Sequence, residues 1–264
     1  MLRIAVLGAG RMGREVMRAI ASCDELELAG VWVHGERRLA ADLPGDPGAT
    51  VSDDLAEVLA AADLAVDFTL PAATREVLDA ALAAGRPLVC GVTGLQDAEL
   101  VRMETVSKSV PLFYDRNMSL GIAVLKDLVS RAAPLLGPEF VAEIEDKHHV
   151  HKKDAPSGTA IALGEALAGS RGSKFADVFR YEPGRVAVRR SPEDIVFSAV
   201  REGEVAGEHS VIFRSGVERL ELAHKVADRR VFAQGALRAA RWLAAQGPGL
   251  YCMQDLLEDD FYAE

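Results

Sequence analysis

The chain has 264 residues, 49% of them hydrophobic and 27% charged, enough to bury one large core or two modest ones. A formal net charge of −10 excludes the broad basic face that nucleic-acid phosphates need, although a local basic pocket for a small anion remains compatible. No apolar run reaches the ~18–20 residues of a membrane helix, and residues 1–7 separate no charged leader, so neither membrane partner nor secretory signal is expected.

In chain order, residues 2–7 predict a strand and 11–22 a helix, with Met12, Val16, Ala19 and Ile20 at helical spacing. Residues 26–33 predict the next strand, followed by a loop rich in Gly, Asp and Pro over 35–48. Asp53 or Asp54 then caps a helix that carries Leu55, Val58 and Leu59. Strands at 64–68, 87–90 and 111–114 alternate with helices at 72–84 and 97–109, the signature of a parallel sheet covered on both faces. The pattern changes near Asn117. A long apolar helix at 120–136 leads to a strand at 140–146, with Phe140, Ala142 and Ile144 on one face. After a helix beginning near Ser157, strands are expected at 186–189, 194–200, 209–213 and 220–226, punctuated by Gly203, Gly207 and Gly216. That suggests a mainly antiparallel sheet, and 230–245 returns to helix.

The expected architecture is therefore α/β. A Rossmann-type dinucleotide-binding domain spans 1–119, with 229–264 packing back on it. An α+β substrate and oligomerisation domain spans 120–228. Cys23, Cys90 and Cys252 form no CxxC and read as free thiols of a cytoplasmic protein.

Gly8-Ala9-Gly10-Arg11-Met12-Gly13 fits GxGxxG between a strand and a helix. Gly8 permits the tight turn, Gly10 lets backbone approach a pyrophosphate, and Gly13 lets helix meet sheet closely. The phosphates would meet unpaired N–H groups at the positive end of the helix dipole; the alternative is a merely structural glycine turn. Val33 stands roughly where an acid for the adenosine ribose is normal, and His34, Arg37 and Arg38 follow. A missing carboxylate beside arginines favours the 2′-phosphate of NADPH, with NADH possible, unless these arginines form a solvated loop.

Three of the six histidines, His148, His149 and His151, fall beside Lys147, Lys152 and Lys153. Like-charge crowding of this kind is costly for folding and points to an anionic ligand. Ser157 can cap the following helix. The N–H groups of Gly158 and Thr159, with the Thr159 hydroxyl, then make a carboxylate cradle. Lys152 adds charge, and the histidines offer proton transfer near neutral pH. HHxH could also hold a metal, but the flanking lysines would repel a cation, so no metal is expected. A solvated charged loop is the remaining alternative.

His148–Lys152 followed by Asp154-Ala155-Pro156-Ser157-Gly158-Thr159-Ala160 resembles the signature of the 4-hydroxy-tetrahydrodipicolinate (dihydrodipicolinate) reductases of lysine biosynthesis through diaminopimelate. Asp67-Phe68-Thr69, Gly91-Val92-Thr93-Gly94, Asn117-Met118-Ser119, Gly207-Glu208-His209 and His224-Lys225 resemble further landmarks in order. The resemblance implies an NAD(P)H-dependent oxidoreductase acting on a small dicarboxylate. It makes His148 the acid/base residue and Lys152 the second catalytic residue, with His149, Ser157, Gly158 and Thr159 around the substrate. Gly91, Val92 and Thr93 and Asp115, Arg116, Asn117 and Met118 would line the nicotinamide side. The family consists of homotetramers built through the second domain's sheet, which implies a homotetramer here. Cofactor and substrate are expected on different domains joined near 117–120 and 228–230.

Overall fold

Four of the six residues of β1 (Leu2–Leu7) are fully buried, as expected for a strand in the middle of a parallel sheet covered on both faces. The computed structural model describes residues 1–33, 43–44, 48–181 and 191–262, with side chains to 259. After β1 come α1 (Arg11–Ala21), β2 (Leu26–Trp32), β3 (Thr50–Ser52), α2 (Leu55–Ala60), β4 (Leu64–Asp67), α3 (Thr74–Ala84), β5 (Leu88–Cys90), α4 (Asp97–Val106) and β6 (Pro111–Tyr114). The second half holds α5 (Leu120–Leu136), β7 (Val141–His148), α6 (Gly158–Ser170), α7 (Phe175–Val178), β8 (Phe179–Tyr181), β9 (Ile195–Arg201), β10 (Gly207–Arg214) and β11 (Arg219–Val226). The chain then closes with α8 (Arg230–Leu243), β12 (Gly249–Tyr251) and α9 (Met253–Tyr262). Two compact units result, Met1–Leu120 with Arg229–Glu264, and Gly121–Asp228.

In the first unit the described strands run β12-β6-β5-β4-β1-β2-β3, and every pairing is parallel. The chain moves from β1 outward to β3, then returns to place β4 on the other side of β1. This reversal opens a crevice at the carboxyl ends of β1 and β4, where ligands bind in such sheets. Leu55, Val58, Val77, Leu78 and Met103 of α2, α3 and α4 pack on one face with Ala5 and Leu7. On the other side α1 packs against α8, whose inward stripe of Ala233, Gly235, Ala236, Ala239 and Ala240 allows a close approach. A Cβ at Gly235 would lie 1.7 Å from the Met118 carbonyl oxygen, so that helix position accepts only glycine. Asp54 is the acid that caps α2, accepting from the Ala56 N–H at 2.8 Å.

The second unit's sheet runs β11-β10-β7-β9-β8. It is mixed rather than mainly antiparallel: β10 pairs antiparallel with β11 and β7, whereas β7–β9 and β8–β9 are parallel. The reason is connectivity, because α6 lies between β7 and β9 in sequence and makes their connection a crossover. Ile144 of β7, Phe197 of β9 and Phe213 of β10 meet Val129 of α5 and Leu163 and Leu167 of α6 in one core. The alternation of β7 places Ala142, Ile144, Asp146 and His148 all inward. Sequence periodicity also missed β3, β8 and β12, each three residues long, and the helices α7 and α9. A 3-10 turn at Pro71–Ala73 replaces the start of the helix expected at 72–84. The strand expected at 186–189 lies outside the described residues.

Gly13 is the tightest point of the first turn, since an added Cβ would sit 1.8 Å from the Gly8 carbonyl oxygen. Gly13→Ala should therefore push α1 off the sheet and lower unfolding free energy by about 1–3 kcal/mol. Urea denaturation would show this as a lower midpoint; an unchanged midpoint would mean that α1 shifts freely.

Candidate active site

In the first unit, β1 runs into Gly8 with φ +95°, a conformation that side-chain-bearing residues rarely adopt. Gly10 then starts α1 without a side-chain cap, and the helix carries no acid in its first turn, so its positive end is uncompensated. A Cβ on Gly10 would meet nothing within 4 Å, which leaves open space over the first-turn amides. Gly8 lies against the neighbouring strand end: its missing Cβ would stand 3.1 Å from the Phe68 carbonyl oxygen. The Phe68 ring in turn occupies the space a Cβ on Gly91 would need, 2.4 Å away. The carboxyl ends of β1, β4 and β5 thus gather around glycines, and the open uncapped turn fits a dinucleotide pyrophosphate.

Beneath this turn Asp67 is fully buried. Its Oδ1 accepts the Thr69 N–H at 2.8 Å, and the Cys90 thiol stands 3.9 Å from Oδ2. Burial pushes the carboxyl up to about 6, against the opposing pull of the Thr69 amide and hydroxyl. Burial likewise pushes the Cys90 thiol well above its usual range.

In the second unit the inward row of β7 ends in Asp146 and His148. Asp146 is 1% exposed, and His148 Nδ1 lies 2.7 Å from its Oδ1, off the N–H axis, as a charge contact rather than a linear hydrogen bond. Asp146 Oδ2 accepts the Ser157 N–H at 2.9 Å and a guanidinium N–H of Arg201 at 3.2 Å. Burial alone would raise this carboxyl, but the His148 ring and the Ser157 amide outweigh it and hold it well below the usual carboxylate range. From β10, His209 Nε2 reaches within 3.4 Å of Asp146 Oδ1 and 3.2 Å of the Ser157 hydroxyl. Burial depresses His209 to about 4, the Asp146 charge opposing and His148, His224 and Lys152 assisting. His209 is therefore neutral at physiological pH.

The ligating atoms of Asp146, His148 and His209 lie within 4.8 Å of one another, a spacing that also suits a metal. Arg201 already supplies the positive charge at that carboxylate, so the group reads as a proton-handling cluster.

The residues expected to cradle a carboxylate fall at the start of α6. The Ser157 hydroxyl accepts the Ala160 N–H at 3.2 Å, the cap expected from sequence. Gly158 is exposed with nothing within 4 Å of a Cβ, and Thr159 follows in the same first turn. The expectation for Ser157 changes, however. At 2% exposed, with its amide on Asp146 and its hydroxyl on Ala160 and His209, it shapes the cradle from beneath. Lys152 Nζ pairs with Asp154 at 2.8 Å and holds that carboxyl below its ordinary range despite partial burial. His149 stacks loosely with His151, ring centroids 5.9 Å apart.

Of the residues expected beside a nicotinamide, Val92 and Met118 are both 2% exposed, so only their backbones could face a ligand. Thr93 and Arg116 are exposed. Asp115 acts internally, its carboxylate accepting the Asn117 N–H at 3.1 Å and the Met253 N–H at 3.4 Å. Asn117 repeats the device, accepting from the Ser119 N–H at 2.9 Å. Ala9, Arg11 and Met12 lie in the first turn as expected, whereas His34 and Arg37 lie outside the described residues. Sequence reasoning missed the roles of Asp146, Arg201 and His209. The available signal was the period-two row Ala142, Ile144, Asp146, His148, which places a carboxylate where an apolar residue belongs.

The Asp67 carboxyl titrates higher folded than unfolded. It contributes stability that is complete below about pH 4 and is lost as pH rises through 6. Relative to the parent, Asp67→Asn should gain up to ~3 kcal/mol between pH 4 and pH 8, by chemical denaturation at both values. A pH-independent difference would contradict a raised Asp67.

Known proteins resemble the chain along both of its halves. The family model described as dihydrodipicolinate reductase, N-terminus, matches residues 2–118, and that described as dihydrodipicolinate reductase, C-terminus, matches 121–257. The chain is 42% identical over 263 residues to the 4-hydroxy-tetrahydrodipicolinate reductase of Alkalilimnicola ehrlichii, covering 97% of this chain and 98% of that one. It is 39% identical over 263 residues to the enzyme of the same name from Pseudoalteromonas translucida, covering 97% and 98%. Among solved structures, a dipicolinate-bound dihydrodipicolinate reductase from Paenisporosarcina sp. TG-14 shares the fold, with TM-score 0.77 at 22% identity over 97% of this chain and 99% of that one. With both halves matched and relatives near 40% identity along almost its full length, the chain belongs to the dihydrodipicolinate reductase family.

Proposed function

We infer that the chain reduces 4-hydroxy-tetrahydrodipicolinate to tetrahydrodipicolinate with a reduced pyridine nucleotide, in lysine biosynthesis through diaminopimelate. The observation that carries the reading is the pairing of His148 with an ionised, buried Asp146 beside the open first turn of α6. Overall, hydride and one proton are taken up and the 4-hydroxyl leaves as water. The nicotinamide, when bound, supplies the hydride at ring carbon four.

The chain's own residues do the rest. Gly8, Gly10 and the first turn of α1 hold the pyrophosphate, and the backbone of 91–93 and 115–118 positions the nicotinamide. The Gly158 and Thr159 amides hold one substrate carboxylate at the positive end of α6. Lys152 leaves Asp154 to meet the negative charge of the substrate, and His149 lies on the same segment to orient the ring. A fixed cation facing developing negative charge contributes several kcal/mol in a water-poor site. His148 delivers the proton.

NADPH is the preferred donor in this reading, because Val33, buried after β2, offers no carboxylate to repel a 2′-phosphate. We also place the enzyme in the cytoplasm, consistent with three free cysteines, and expect a homotetramer. Val200, 47% exposed on the outward face of the second sheet, is one of the apolar groups such an assembly would cover.

His148→Gln and Lys152→Ala should each lower kcat by about 10²-fold or more while dinucleotide affinity stays within a few-fold. A coupled assay with dihydrodipicolinate synthase, together with fluorescence titration of the cofactor, measures both; near-normal turnover in both variants would remove these roles. The same assay should give a lower KM for NADPH than for NADH, and the reverse order would overturn the cofactor preference.

A further inference from the structure

We propose that Asp146 and Gly207 are positioning residues for His148, one gripping its Nδ1 and the other clearing space at its Nε2. The inference rests on His148 as proton donor and adds what orients it. On one side, Asp146 Oδ1 lies 2.7 Å from Nδ1. On the other, the Gly207 backbone passes so close that a Cβ there would stand 3.1 Å from His148 Nε2 and 3.5 Å from its Cδ2. Histidine can carry its proton on either nitrogen, and a carboxylate beside Nδ1 selects the form whose Nδ1 keeps a proton. Nε2 is then the nitrogen that gives up its proton to the substrate and recovers one from solvent. Nδ1–H stays in place, so no second proton moves.

The same carboxylate reaches the substrate cradle, because Oδ2 accepts the Ser157 N–H at the cap of α6. One anchor therefore fixes both the proton donor and the amides that would hold the substrate. The other polar groups around it come from separate strands. Arg201 on β9 donates to Oδ2 and also reaches the Asp154 carbonyl, and His209 on β10 lies 3.4 Å from Oδ1. His224 on β11 and Lys152 on the loop after β7 act on His209, whose neutrality leaves Arg201 as the fixed positive partner. His209 also meets the His148 ring edge-on, with centroids 5.1 Å apart, which limits how far that ring can turn. The contact between Asp146 and Nδ1 is off-axis, and hydrogen bonds to a catalytic group commonly tighten on substrate binding.

Two variants separate the parts. Asp146→Asn keeps the shape and removes the charge. It should lower kcat at least about tenfold and move the basic limb of the kcat–pH profile down by about one unit or more, because the opposite charge near the ring is gone. Asp146→Glu keeps the charge and should leave the limb in place. Gly207→Ala should lower kcat by crowding Nε2 while the limb stays at the parent's pH. If Asp146→Asn lowers only substrate affinity and the limb does not move, Asp146 merely supports the cradle and the proposal fails. If Asp146→Asn does not fold, the Gly207→Ala and Asp146→Glu profiles decide. Full activity in Gly207→Ala, or a limb displaced by Asp146→Glu, would overturn it. Loss of the parent reading is distinguishable, since parental enzyme would then not consume the substrate at all.

Discussion

A buried carboxylate must be matched by donors or it will neutralise itself, and Asp146 is matched from three directions. Its own strand supplies His148, β9 supplies Arg201, and the start of α6 supplies the Ser157 amide. Removing water from such a charge costs several kcal/mol, so this compensation has to persist wherever the second unit is folded. That requirement fixes strand β7 against β9 and pins the cap of α6 beside the end of β7. His209 completes the arrangement without adding charge, because burial keeps it neutral. His148 and the cap of α6 are in this way held by one electrostatic constraint.

The first unit solves the opposite problem. A phosphate needs accessible backbone amides, and the turn after β1 leaves them room by omission: no Cβ at Gly8, Gly10 or Gly13, no side-chain cap on α1, no acid in its first turn. The buried Asp67 below the turn differs from Asp146 in that no cation is among the groups that act on it. It accepts the Thr69 amide, stands near an uncharged Cys90 thiol and so titrates near 6. Two buried acids in one chain therefore behave oppositely, according to what faces them.

How far sequence alone reached follows from how local each signal is. The alternating half was legible because strands buried on both faces read as short apolar runs and the helices between them are periodic. Strands of three residues such as β3, β8 and β12 have no period to detect. The second sheet was misread as mainly antiparallel because glycines between strands suggest hairpins, whereas strand direction depends on where α6 crosses. Ser157 was legible as a helix cap, but its inward contacts with Asp146 and His209 join positions 11 and 52 residues apart. His148 and Lys152 stood out through composition. Arg201 is an ordinary residue in sequence and His209 stood there only within a landmark; their contacts with Asp146 become legible only when β9, β7 and β10 lie side by side.

The central claim is that Asp146 is ionised and holds His148 by Nδ1 while His209 remains neutral. Ring-nitrogen chemical shifts of 15N-histidine-labelled protein, followed by NMR from pH 8 to pH 5, test it directly. The account predicts a protonated His148 Nδ1 throughout and a His209 ring still neutral at pH 5. An unprotonated His148 Nδ1 at pH 8, or a His209 that gains its proton above pH 6, would contradict it.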